Sequence, residues 1–289
     1  MSYLIIVSVI WAFSFGLIKT YLIGNLEGID PTFVAWARLT IALPVFLPFL
    51  RLKRLDRRLA GRLIMIGAVQ YGLMYITYLQ AYRYLDAYQV ALFTIFTPIY
   101  VTLIHDLRKQ RFRPIHLAAA ALAVAGAAVI RYRGIALSGA LTGFIFMQIS
   151  NLCFAFGQVE YKRLRPAFSD RSDRSVYALL YLGAAAITAL ATTLTGGWSS
   201  FRFLNPEAAG TLLYLGVLAS GLCFFWWNKG AVRTNAGSLA VFNNLKIPLA
   251  VAVSLLIFGE RADLPSLFLG GGIMLAAIWL SRKGGIKTK

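Results

Sequence analysis

Three basic residues sit inside long apolar runs, where a charge is costly and therefore informative. Lys246 lies near the middle of Ser238–Phe258 (SLAVFNNLKIPLAVAVSLLIF), after Asn243 and Asn244 and two residues before Pro248. Arg38 and Lys19 lie inside two earlier runs. A lysine at the centre of a bilayer-spanning helix costs about 2.5–3.5 kcal/mol on insertion scales. Asp86, Asp106, Glu160 and Glu260 all fall near run ends, so no acid stands at mid-span to neutralise it. At about 1.5 Å per residue, Lys246 is roughly 3 Å from the middle of its helix, with Arg38 about 5 Å and Lys19 about 9 Å towards the external side. Such a set predicts an electropositive cavity that receives an anionic group such as a carboxylate. The plainer alternative is that Lys246 bonds helix carbonyls or is deprotonated by burial, and that Lys19 reaches outward to the interface.

Other polar and aromatic residues could complete that cavity. Tyr71, Tyr75, Tyr78 and Tyr82 follow helical spacing and form one stripe. Tyr75 and Tyr78 lie deep, where a phenol hydroxyl needs a partner, whereas Tyr82 approaches the interface. All three are candidates for stacking on a substrate, with packing as the alternative. Gln148, Asn151 and Gln158 share a helix face, and with Asn243 and Asn244 they supply donors and acceptors for a polar wall. Polar side chains of this kind also hold membrane helices together. Gln70 and Gln80 are weaker candidates of the same sort, and Trp11 and the Trp226–Trp227 pair read as packing or interface residues.

The elements that must position these groups are membrane helices. Of the 289 residues 59% are hydrophobic and only 14% charged, with mean hydropathy +0.69, whereas soluble domains carry about 25% charged residues. Ten apolar spans are predicted, at 3–23, 32–50, 63–83, 88–106, 115–132, 139–161, 175–195, 209–230, 238–258 and 265–281. Glycine and alanine in the fifth and tenth suit close helix packing, or the face of a homodimer, so both monomer and homodimer are open. The net charge of +18 is not a nucleic-acid footprint. Most Lys and Arg gather in the connections after spans 2, 4, 6 and 8 and in the C-terminal tail, which places both termini in the cytoplasm of an inner-membrane protein. Met1 leads straight into an apolar run with no basic leader, so the first span is expected to be retained. Cys153 and Cys223 fall in apolar runs and read as buried thiols.

The chain repeats itself. Gly72, Leu73, Ala87, Ala91 and Phe93 match Gly221, Leu222, Ala236, Ala240 and Phe242 at a constant offset, and Pro98 then matches Pro248 after one inserted residue. Five spans per copy is an odd number, so the copies cross the bilayer in opposite senses. The fold class is therefore an all-α polytopic membrane protein, ten transmembrane helices as two inverted five-helix repeats, 1–135 and 136–289. Inverted repeats with prolines at matching positions are a transporter signature, with the site at the repeat interface. Pro98 and Pro248 are the expected hinges. No G-x-S-x-G, Walker glycine loop or HExxH occurs, and His105 and His116 have no metal-ligand spacing. Enzymatic activity, a cofactor, a metal and direct ATP drive are not expected.

Several stretches carry a family resemblance: WAFSFGLIK (11–19), ARLTIA (37–42), TPIYV (97–101), IPLAVAVSLLIFGE (247–260) and LGGGIMLAAIWL (269–280). Over nearly its whole length the chain resembles the EamA-type members of the drug/metabolite transporter superfamily. It departs where the first copy has Arg108-Lys109-Gln110 in place of the family's Gly-Glu, so any role of that glutamate falls to Glu260 alone. The resemblance, closest to the aromatic amino-acid exporter group, implies export or exchange of small carboxylate-bearing metabolites, amino acids first among them. Antiport of phosphorylated metabolites or nucleotide sugars suits the same three cations. A polytopic membrane enzyme or lipid-handling protein requires an interfacial cluster of catalytic groups, which the sequence does not show.

Overall fold

A computed structural model describes residues 2–23, 28–53, 55–108, 114–129, 137–233 and 236–283. The described residues form ten helices: α1 (Tyr3–Ile23), α2 (Pro31–Phe49), α3 (Arg57–Ala81), α4 (Ala87–Arg108), α5 (Pro114–Val129), α6 (Gly139–Phe168), α7 (Tyr177–Thr195), α8 (Pro206–Arg233), α9 (Ala236–Leu256) and α10 (Leu264–Lys283). Seven of them are long and apolar enough to cross a membrane, and α9 and α10 contain shorter apolar segments. Only closed backbone bonding survives in hydrocarbon, so an all-helical bundle is the form this composition permits.

The helix packing carries the two-repeat design. α1 packs on α9, and its counterpart α6 packs on α4; α2 packs on α8, and α7 on α3; α3 packs on α6, and α8 on α1. The pairs α2–α7, α4–α9 and α5–α10 each join a helix to its own counterpart. The principal contacts are thus preserved when each helix is exchanged for the one five places on. Close approach depends on glycines at matching positions. A Cβ on Gly67 of α3 would collide with the Leu180 carbonyl of α7, and one on Gly216 of α8 would press on Ile41 of α2. Each of these helices widens to π geometry alongside, at Ala68–Leu73 and at Tyr214–Leu222. Such widenings recur where helices bear functional side chains.

The two prolines behave differently. α4 is α-helical over Ala87–Phe93, tightens to a 3-10 turn at Thr94–Phe96 and resumes at Thr97. Pro98 supplies no N–H to the Thr94 carbonyl, which accounts for the break. α9 runs as one α-helix through Pro248. The interruption expected in both copies is therefore present in the first and absent from the second.

At one end of the bundle, Gly259 adopts φ +67° and ends the turn after α9. That turn delivers Glu260 to the start of α4, where its two carboxylate oxygens accept the N–H groups of Ala87 at 2.8 Å and Tyr88 at 3.0 Å. These are unpaired donors at the positive end of a helix, a natural anion position. At the opposite end Glu160 pairs with Arg108 at 2.7 Å and Arg163 at 3.5 Å, and Asp173 with Arg165 at 3.0 Å.

Two tests follow from these contacts. Gly67→Ala is expected to lower the thermal stability of the purified protein by about 1–3 kcal/mol, the usual range for overpacking. Gly210→Ala, which meets open space, is the control that does not lower it. Burial pushes the Glu260 carboxyl above its ordinary value; the Ala87 and Tyr88 N–H groups and Lys19 offset only part of this, and Asp86 adds to it. A raised folded-state value means that its stabilising contribution is complete below the ordinary carboxylate range and is lost as pH rises through the raised value. Between pH 4 and pH 8, melting temperature should therefore fall more for the parent than for Glu260→Gln.

Candidate functional site

Near mid-bundle the helices line a cavity, the kind of place where bundles hold small molecules. Its walls come from both repeats. α1 gives Trp11, Ser14 and Phe15; α2 gives Arg38; α3 gives Met74, Tyr75 and Tyr78; α4 gives Thr94 and Thr97. From the second repeat, α6 gives Met147, Ser150, Asn151 and Phe154, α8 gives Phe224 and α9 gives Lys246.

Arg38 is 2% exposed. Its Nη2 donates to the Tyr75 hydroxyl at 2.7 Å and its Nε to Ser220 Oγ at 3.3 Å. The Tyr75 and Ser220 hydroxyls lie 3.1 Å apart, and the guanidinium carbon lies 4.2 Å from the centre of the Tyr75 ring. Nη1 has no partner among the described residues. The guanidinium is thus fixed on one edge by α3 and α8 and keeps a donor in reserve, as recognition of a planar anion requires.

Lys246 is 6% exposed and has no ion pair or hydrogen bond among the described residues. Its Nζ lies 5.1 Å from the Trp11 ring centre and 6.0 Å from that of Phe154. Facing aromatic rings soften the loss of water around an ammonium, by about 0.5–2 kcal/mol each, but do not replace a counter-ion. Arg38 and Lys246 therefore give the cavity two cations, and among the described residues no carboxylate lines it.

The remaining candidates divide. Tyr75, Tyr78 and Asn151 line the cavity as expected. Asn151 is also structural: its amide donates to the Phe93 carbonyl at 2.8 Å and accepts from Thr97 Oγ1 at 3.2 Å, which mends α4 beside its break. Tyr82 lies outside the wall, its hydroxyl 2.8 Å from that of Tyr78. Gln148 lies outside it too, its Oε1 accepting from the Tyr100 hydroxyl at 3.2 Å. Lys19 is drawn away from the cavity to the end of α3, where it donates to the Tyr82 and Leu85 carbonyls at 3.0 Å each, 3.7 Å from Asp86. A lysine close to exposed carbonyls and an acid satisfies them before it can serve a mid-span ligand. The side chains of Asn243 and Asn244 lie outside the described residues.

Trp11, expected as a packing or interface residue, does pack, at 5.1 Å on both Phe224 and Trp227, and also forms part of the wall beside Lys246. Its mid-run position was the available signal. Thr94 and Thr97 line the cavity from the 3-10 turn and the residue after it, a local change of helix type that helical periodicity alone does not reveal. Gln70 pairs with Asn228 across α3 and α8 at 3.1 Å, in the interhelical role.

Comparison with known proteins adds the family to this geometry. Residues 1–132 and 141–282 both match the EamA-like transporter family, so one match falls on each five-helix unit. The chain is 42% identical over 286 residues to a protein of Pseudomonas aeruginosa named "Probable biotin transporter", with 98% of each chain covered. It is 38% identical to the "Biotin transporter" of Salmonella typhimurium and 37% identical to that of Escherichia coli K12, covering 98% of this chain and 93% of each relative. A crystal structure with 18% sequence identity superposes with TM-score 0.67 over 98% of both chains, which shows a common fold. With both halves matched and relatives spanning the whole chain, the protein belongs to the EamA-like transporter family of the drug/metabolite transporter superfamily and is a membrane transporter.

Proposed function

We propose that this transporter carries biotin, or a close ring-bearing monocarboxylate, across the inner membrane by alternating access. The observation that carries the reading is the mid-bundle cavity in which Arg38 and Lys246 present donors with no protein carboxylate to meet them. A substrate carboxylate supplies the missing charge, and charge-assisted bonds of that kind are the strong ones. Trp11, Phe154 and Phe224 offer apolar surface for a ring system. The names of three relatives favour biotin. They give no support to amino-acid export, the substrate class that the family resemblance first implied.

In this reading Lys246 and Arg38 Nη1 hold the carboxylate, while Tyr75 and Ser220 keep the guanidinium in place. The basic connections put both termini in the cytoplasm, so the Glu260 end faces outward. Pro98 is the bending point; Pro248 relaxes α9 without breaking it. Uptake of labelled biotin by proteoliposomes, against panels of aromatic amino acids and sugar phosphates, tests the substrate. Saturable biotin uptake is expected, and transport confined to either panel would sink the proposal.

Lys246→Gln and Arg38→Gln are each expected to raise the biotin KM by about 10–100-fold, the worth of a charge-assisted bond. Inhibition by biotin amide, which lacks the carboxylate, should change little in Lys246→Gln. Pro98→Ala restores an N–H for the Thr94 carbonyl and stiffens α4; turnover in the same assay is expected to fall several-fold with KM unchanged.

A further inference from the structure

The cavity does not end the line of chemically active side chains. On α6, Met147, Asn151, Phe154 and Gln158 follow helical spacing and share one stripe, of which the first three line the cavity. Gln158 lies about 6 Å further along the axis than Phe154. On α8, Trp227 lies three residues, about 4.5 Å, beyond Phe224. The two helices point the same way, towards the end held by Glu160 and Arg108, so both residues lie past the aromatic layer on that side. In that layer Phe154 and Phe224 stand 5.6 Å apart, and Trp11 packs 5.1 Å from Trp227.

Gln158 is 3% exposed and Trp227 is fully buried. Neither amide atom of Gln158 has a hydrogen-bond partner among the described residues, nor does the Trp227 Nε1–H. The fold pairs amides readily nearby, since Gln70 and Asn228 satisfy each other at 3.1 Å and Asn228 also donates to the Tyr71 hydroxyl at 2.8 Å. An unpaired buried polar group is destabilising and calls for an explanation. Here one acceptor and two kinds of donor are left open, each within about one turn of a cavity-lining residue, Phe154 on α6 and Phe224 on α8.

We propose that Gln158 and Trp227 form a second recognition position that takes the neutral donor–acceptor head of the substrate, a cyclic urea, as it passes between the cavity and the Arg108 end. Gln158 Oε1 accepts a ring N–H, while Gln158 Nε2 and Trp227 Nε1 donate to the ureido carbonyl. The carboxylate meanwhile remains with Lys246, beside Phe154. This inference rests on the biotin reading above and assigns to Gln158 the selection of the ring, as distinct from the acid.

Inhibition of labelled-biotin uptake into proteoliposomes of the full chain separates the two. The competitors are unlabelled biotin and lipoate, which shares a five-carbon carboxylate tail and a sulfur ring but lacks the urea. Gln158→Leu is expected to weaken biotin about tenfold or more, as loss of hydrogen bonds to a buried partner does, and to leave lipoate within twofold. Trp227→Phe keeps the ring packing and should weaken biotin in the same direction, about threefold or more. Without ligand, Gln158→Leu should melt at or above the parent temperature, since it removes an unsatisfied amide; a structural amide would lower it. Parent-like biotin affinity in Gln158→Leu, equal weakening of biotin and lipoate, or a large drop in melting temperature overturns the assignment. Absence of biotin uptake by the parent itself overturns the underlying substrate reading instead.

Discussion

The hydrogen-bonded triangle of Arg38, Tyr75 and Ser220 is the interaction on which the centre of this protein depends. It ties α2, α3 and α8 together where the surroundings offer little water and no acid. An arginine in that setting is tolerable only if its donors are occupied or held for a ligand. The π-widened segments on both sides of it put Tyr71 and Ser220 where a regular helix would not, and the glycines at Gly67 and Gly216 let α3 and α8 come close enough to reach α7 and α2. Backbone geometry and chemistry are therefore coupled at one level of the bundle.

Around that centre the scaffold is symmetric and the chemistry is not. Helix contacts, widened helices and close-approach glycines repeat between the halves. The cations do not: Arg38 belongs to the first copy and Lys246 to the second, on helices that do not correspond. Symmetry suits a scaffold that exchanges two equivalent packings, while a single substrate with unlike ends needs unlike groups to hold it.

Much of the fold was legible in the sequence because bilayer length, loop charge and the repeated Gly and Pro positions are strong signals. The site was legible in part. Lys246 and Arg38 stood out because a mid-span charge is costly wherever it falls. Lys19 looked similar by type, but its place is decided by the Tyr82 and Leu85 carbonyls and Asp86, which come near only in three dimensions. Tyr82 and Gln148 were drawn to Tyr78 and Tyr100 for the same reason. Trp11 packs as one of its two readings has it, but a packed tryptophan and one that also faces an ammonium look alike in one dimension. Thr94 and Thr97 depend on a local change of helix type that hydrophobic periodicity averages away.

The break in α4 makes one helix serve two masters. Its first segment, Ala87–Phe93, packs mainly on α9 and is gripped at its tip by Glu260, while its second segment, Thr97–Arg108, packs mainly on α6. Both holds come from the second repeat, though the helix belongs to the first. The 3-10 turn at Thr94–Phe96 lies between them, so each segment of α4 has its main hold on a different helix of the second repeat. The turn sits at the cavity wall and carries Thr94 and Thr97, so under the proposed alternating access any relative shift of α9 and α6 would be felt first at these two hydroxyls.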